Sequence, residues 1–127
     1  MEEHWAYEVR NAQTAFEACL ALDRAYTPDE LTGLSVCSRE GRDDRDHLFV
    51  IAASKNPPQG RISGVDEILS RFGHRAGLTV DDVMDPQGLQ FLASGTIDAI
   101  LGGLLWHYPG EIDLHLPPGT PPIYWAG

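Results

Sequence analysis

The sequence predicts an α+β fold: a single compact domain over residues 1–127, with a mixed or antiparallel sheet of about four to five strands packed by several short helices. Three observations carry this expectation. Alternating and continuous apolar runs of strand length recur along the chain. Helix-capping residues precede helical apolar patterns between them. The stretch Thr96–Leu116, TIDAILGGLLWHYPGEIDLHL, holds both the longest apolar run and the cleanest alternation in the chain.

Length and composition fit this class. A chain of 127 residues is near the commonest domain size and buries roughly two-thirds of its unfolded surface, so it needs no disulfide or metal staple. Its hydrophobic fraction of 43% is ordinary for a globular core.

The elements follow in order. In HWAYEVR, residues 4–10, Trp5, Tyr7 and Val9 alternate with His4, Glu8 and Arg10, which is the period of a strand. Asn11 then caps a helix to about Tyr26 with Phe16, Cys19, Leu20 and Leu22 on its apolar stripe; Thr14 and Glu17 offer a later capping box. Thr27-Pro28-Asp29-Glu30 starts a further helical turn that Gly33 ends. Leu34–Ser38 and His47–Ala53 read as a hairpin around the charged loop Arg39–Asp46. The second strand is apolar on both faces, so it belongs in the middle of the sheet.

Pro57, Pro58 and Gly60 forbid regular structure over Lys55–Arg61. Ser63 caps a helix carrying Ile68, Leu69 and Phe72 and closed by Gly77. Short helices are expected from Thr79 and from Asp85-Pro86, the latter carrying Leu89, Phe91 and Leu92 to Gly95. Thr96–His107 reads as a helix with Ile97, Ile100, Leu101, Leu104 and Leu105 buried. Gly102-Gly103 in its middle costs about 2 kcal/mol relative to two alanines, which is acceptable if another element packs on the glycine face; the alternative is a hairpin turning at the two glycines. Glu111–Leu116 reads as a strand with Ile112, Leu114 and Leu116 inward. The tail PPGTPPIYWAG is stiffened by four prolines.

The most unusual global feature is charge. Nineteen carboxylates face nine Lys and Arg, for a formal net charge of −10. Such a field repels nucleic-acid phosphates and anionic membranes and favours a basic protein partner or a cationic ligand; it is also a common route to solubility. No apolar run reaches the ~18 residues of a membrane span, and the start MEEHWAYEVR is unlike a signal peptide. The expectation is a cytoplasmic protein with no membrane and no nucleic-acid partner. Oligomeric state is left open.

Catalytic motifs are not evident. There is no GxSxG, P-loop or GxGxxG, and the five histidines show no i,i+4 pairing. Cys19 and Cys37 read as small core residues. Asp81-Asp82-Val83-Met84-Asp85 has the spacing DDxxD, but Pro86 breaks the chain behind it, and cap roles explain Asp82 and Asp85. Glu67–Met84 has a faint helix-turn-helix pattern whose second helix carries three aspartates and no base-reading side chain. No metal and no cofactor is expected.

The leading expectation is therefore a non-catalytic acidic binding protein that inhibits a basic, nucleic-acid-handling protein, in the manner of a toxin immunity protein or a phage anti-defence inhibitor. Its partner-binding candidates are Asp43, Asp44, Asp46, Asp81, Asp82 and Asp85. The alternative is a small enzyme or ligand-binding domain with a pocket around Glu111, Asp113, His115 and His107, walled by Trp106, Tyr124 and Trp125. A third reading is a subunit of a larger assembly.

Overall fold

The structure is a computed structural model, described here over residues 3–41, 43–55, 64–77 and 89–113. Within these residues the chain forms one antiparallel five-stranded sheet and three helices, an α+β fold. The elements are β1 (Glu3–Val9), α1 (Ala12–Ala25), β2 (Gly33–Glu40), β3 (Asp46–Ser54), α2 (Gly64–Leu69), β4 (Gly73–Arg75), β5 (Gln90–Ser94) and α3 (Ile97–His107). The strand order is β4-β1-β3-β2-β5.

β3 is central, as its two-faced apolar run requires. Leu48, Val50 and Ala52 face the helices, together with Trp5, Tyr7 and Val9 of β1 and Val36 of β2. Phe49 and Ile51 point to the other face and form a second, smaller cluster with Ala6, Cys37 and Leu89. The main core is completed by Ala15, Phe16, Cys19 and Leu22 of α1, Val65 and Leu69 of α2, and Ile100, Leu101 and Leu104 of α3. Both cysteines are buried and free. Burial pushes the Cys37 thiol up to about 12 and that of Cys19 further still, so both are inert as nucleophiles at neutral pH.

Local chemistry sets the helix starts. Asn11 Oδ1 accepts from the backbone N–H of Thr14 at 2.8 Å and from its hydroxyl at 2.8 Å; the later Thr14–Glu17 start is not used. Asn11→Ala removes both bonds, and thermal or urea unfolding should show a loss of about 1 kcal/mol. A loss near zero would mean that α1 starts elsewhere. Thr27 and Glu30 form the reciprocal capping box, at 3.1 and 3.3 Å, but only one turn follows before β2.

Three expectations are corrected. The helix from Ser63 to Gly77 stops at Leu69 in the structure, and Ser63 lies outside the described residues. Two tight backbone bonds, Arg71 N–H to Ile68 O at 3.2 Å and Phe72 N–H to Leu69 O at 3.0 Å, close the turn. The chain then enters β4, which pairs with β1. Gly73 permits this: a Cβ there would overlap the Glu8 carbonyl. Tyr7 binds the corner by donating to Asp66 Oδ1 at 2.6 Å, and Arg75 reaches the same oxygen at 3.2 Å.

Second, Phe91 and Leu92 lie on a strand, not a helix. The apolar run is short enough to fit either period, and the open edge of β2 decides it. A bulge leaves Leu92 as the extra residue between the pairs Val36–Ala93 and Cys37–Phe91, so Leu92 and Ala93 both pack on the core. Third, residues 111–113 form no strand. The Gln13 side chain takes a strand partner's place: the Asp113 N–H donates to Gln13 Oε1 at 2.6 Å, and Gln13 Nε2 donates to the Asp113 carbonyl at 3.3 Å.

Thr96–His107 is a helix and not a hairpin, capped by Thr96 Oγ1 accepting from the Ala99 N–H at 3.3 Å. Gly103 lies against β5, where a Cβ would stand 2.5 Å from the Ala93 Cβ and 2.7 Å from the Leu92 carbonyl oxygen. The helix contains glycine because the sheet occupies the place of its side chain. Residues 78–88 and 114–127 carry further expected elements, namely the short helix from Thr79, the start of that from Asp85-Pro86, the second half of the last strand and the tail; these lie outside the described residues.

Candidate functional site

The β2–β3 hairpin projects a charged turn at one end of the sheet. Gly41 N–H donates to the Arg45 carbonyl at 2.8 Å, and Asp44 N–H to the Gly41 carbonyl at 3.1 Å. Asp44 takes a φ of 58°, a left-handed conformation that aspartate tolerates better than most residues. Asp43 Oδ1 accepts from the Arg45 N–H at 3.2 Å, an Asx turn that holds the loop. Asp43, Asp44 and Asp46 are therefore exposed together at the tip.

Register adds acidic groups that the linear sequence keeps apart. Glu40 stands directly opposite Asp46 in the β2–β3 ladder, and both are exposed. Cβ atoms of such a pair are about 4.5–5.5 Å apart, and like charges there are destabilising. This pair lies on the helix side of the sheet. Tyr108, which caps α3, sits near it: burial raises the Tyr108 pKa, and the carboxylates of Asp46 and Glu111 raise it further. Glu111, placed by its N–H bond to the Tyr108 carbonyl at 3.2 Å, thus joins Asp46.

On the opposite side His47 is held between two carboxylates. Its Nε2 lies 3.0 Å from Asp43 Oδ1 and its Nδ1 lies 3.3 Å from Glu8 Oε2. The bonds to Asp43 and then Glu8 raise the His47 pKa. The bond to His47, then that from the Arg45 N–H, lowers Asp43. Arg39 covers the Phe49 ring at 5.4 Å from its centroid, within cation–π range. Next to this end, Arg10, Arg71 and His74 line a shallow groove together with Glu8 and Glu17, so the acidic field is not uniform.

The chain matches no family model, no curated protein and no solved structure.

The sequence-derived candidates divide as follows. Asp43, Asp44 and Asp46 come together at the hairpin end; Asp81, Asp82 and Asp85 lie outside the described residues. Of the alternative pocket, His107 and Trp106 occupy the last turn of α3, Trp106 being 84% exposed. Glu111 faces the Tyr108–Asp46 group, and Asp113 is tied to α1 through its backbone. His115, Tyr124 and Trp125 lie outside the described residues. Glu8, Glu40 and His47 were missed as site residues. The alternation of β1 places Glu8 on the polar face, but only register brings it to His47. Among the described residues, no group of three or more His, Cys, Asp or Glu could hold a metal ion, and no helix is long and apolar enough to cross a membrane.

The signs of these shifts define a pH window. A raised His47 contributes stability that is complete below its unfolded value of ~6.5 and is lost as pH rises through its folded value. A lowered Asp43 contributes stability that is present above its unfolded value and is lost as pH falls through its folded value. The His47–Asp43 link is therefore strongest in mildly acidic solution. NMR titration of the His47 ring should give a midpoint above that of an ordinary histidine, and Asp43→Asn should bring it down. An ordinary midpoint in the unaltered protein would show that the hairpin does not hold this contact.

Proposed function

We propose that the protein is a non-catalytic binding protein that docks its acidic hairpin end onto a basic surface of another protein. The partner this charge pattern suits is a nucleic-acid-handling protein, whose phosphate-binding site would be covered and inhibited. The observation that carries the reading is the Glu40–Asp46 cross-strand pair. It disfavours the free hairpin, and basic side chains from a partner would relieve it. Asp43, Asp44, Glu8 and Glu111 extend the same end, and the net charge of −10 would speed encounter with a cationic surface.

The test is affinity capture from a lysate of the source organism, with the unaltered protein and a Glu40→Gln/Asp44→Asn/Asp46→Asn variant. These residues are exposed, and asparagine is tolerated at the positive φ of position 44. The reading expects a basic protein retained at low salt, loosened at high salt by screening, and lost with the variant. Equal retention by both proteins, or retention insensitive to salt, contradicts it.

A further inference from the structure

A cavity of about 430 Å³ opens at the other end of the molecule, between the C-terminus of α1, the start of β2, the end of β5 and the start of α3. The seven steps between the eight residues of β2, at ~3.3 Å each, set it roughly 23 Å from the hairpin turn. Its volume lies within the range of small-molecule sites. The walls are apolar, from Leu22, Tyr26, Leu31, Leu34 and Ile97. All five are also members of, or packed against, the main core; Leu22, Leu34 and Ile97 stand on α1, β2 and α3, and Tyr26 and Leu31 on the connection between α1 and β2.

The charges around the cavity select the ligand. Among the described residues, Asp23 is the one carboxylate that lines it, and no Lys, Arg or His does. The last carbonyls of the fourteen-residue α1 add partial negative charge on the same side. The facing N-terminus of α3 makes little opposing demand for an anion, because Thr96 caps it and Asp98 lies in its first turn. Hydroxyls complete the rim: Ser35 and Ser94, cross-strand partners in the β2–β5 ladder, both line the mouth.

We propose that this cavity binds a small amphipathic organic amine, its ammonium group on Asp23 and its apolar body against Leu22, Tyr26, Leu31, Leu34 and Ile97. The site is independent of the docking end, and neither stands or falls with the other.

Three probes of one size test the charge class: phenethylamine, 2-phenylethanol and phenylacetate, each titrated into isotopically labelled protein and followed by amide NMR shifts. Phenethylamine should move the resonances of Leu31, Gly33, Gly95 and Ile97 saturably, with 2-phenylethanol weaker and phenylacetate weakest. Asp23 is exposed, so its ion pair is worth at most about a fivefold preference. Asp23→Asn should cut phenethylamine affinity by about that factor and leave 2-phenylethanol unchanged. Its amide spectrum reports that the fold is kept. No saturable shift with phenethylamine at millimolar concentration overturns the proposal. So does phenylacetate binding as tightly as the amine, an unchanged amine affinity in Asp23→Asn, or saturable shifts confined to residues away from the cavity.

Discussion

Phe16→Ala is expected to destabilise the protein by about 3–5 kcal/mol, the usual cost of emptying a buried phenylalanine site. Phe16 is fully buried on α1, in the cluster that joins this helix to Val50 and Ala52 of β3 and Leu101 and Leu104 of α3. Three elements meet there, and a helix fixed at its N-terminal end by the Asn11 cap and the Gln13–Asp113 bonds, and at its C-terminal end by the Tyr26 N–H bond to the Leu22 carbonyl, cannot collapse freely into the gap. Against a total stability of typically 5–15 kcal/mol, the loss is large. Urea unfolding should show a lower midpoint at an unchanged slope. Trp106→Ala is the matched contrast: its ring is 84% exposed, so the change should stay within about 0.5 kcal/mol. Similar losses at both positions would mean that the helices present other faces to the sheet.

Gly103→Val should cost about 2 kcal/mol, although helix propensity alone predicts a small gain. The added carbons would meet the Ala93 side chain and the Leu92 carbonyl. The neighbour is backbone as well as side chain, so relief requires α3 to lift from β5, and overpacking of this kind typically costs 1–3 kcal/mol. Because β5 is an edge strand held by β2 on one side, its amides should also exchange faster in the variant. A stabilised Gly103→Val would show that α3 does not lie on β5.

How far the sequence carried depends on what each residue had to know. β1, α1, the hairpin and α3 were legible because their signals are local: the alternation of Trp5, Tyr7 and Val9, the Asn11 cap, and the apolar run of β3. The helix through Gly102-Gly103 was the first of two readings, since the same dipeptide could turn a hairpin, and the place of Gly103 against β5 decides between them. β4 and β5 were not. Gly73 looks like a helix weakness until the Glu8 carbonyl is placed beside it, and Phe91-Leu92 fits two periods until β2 offers an edge. The hairpin aspartates could be singled out because they fall within four consecutive residues, Asp43 to Asp46. Their neighbours Glu8, Glu40 and Glu111 arrive by register and by the course of the chain after α3. The cavity at Asp23 draws its walls from separate segments, none of which carries a motif.

The acidic end makes one demand that ordinary surface charge does not. If Glu40 and Asp46 are there for a partner, the free protein gives up stability to keep them. The decisive measurement pairs the thermal midpoint of Glu40→Gln with its affinity for the captured partner. The account predicts a midpoint raised by the equivalent of a few tenths of a kcal/mol together with weaker binding. A lowered midpoint, or a raised midpoint with undiminished binding, would contradict the claim that this end of the hairpin is a docking surface.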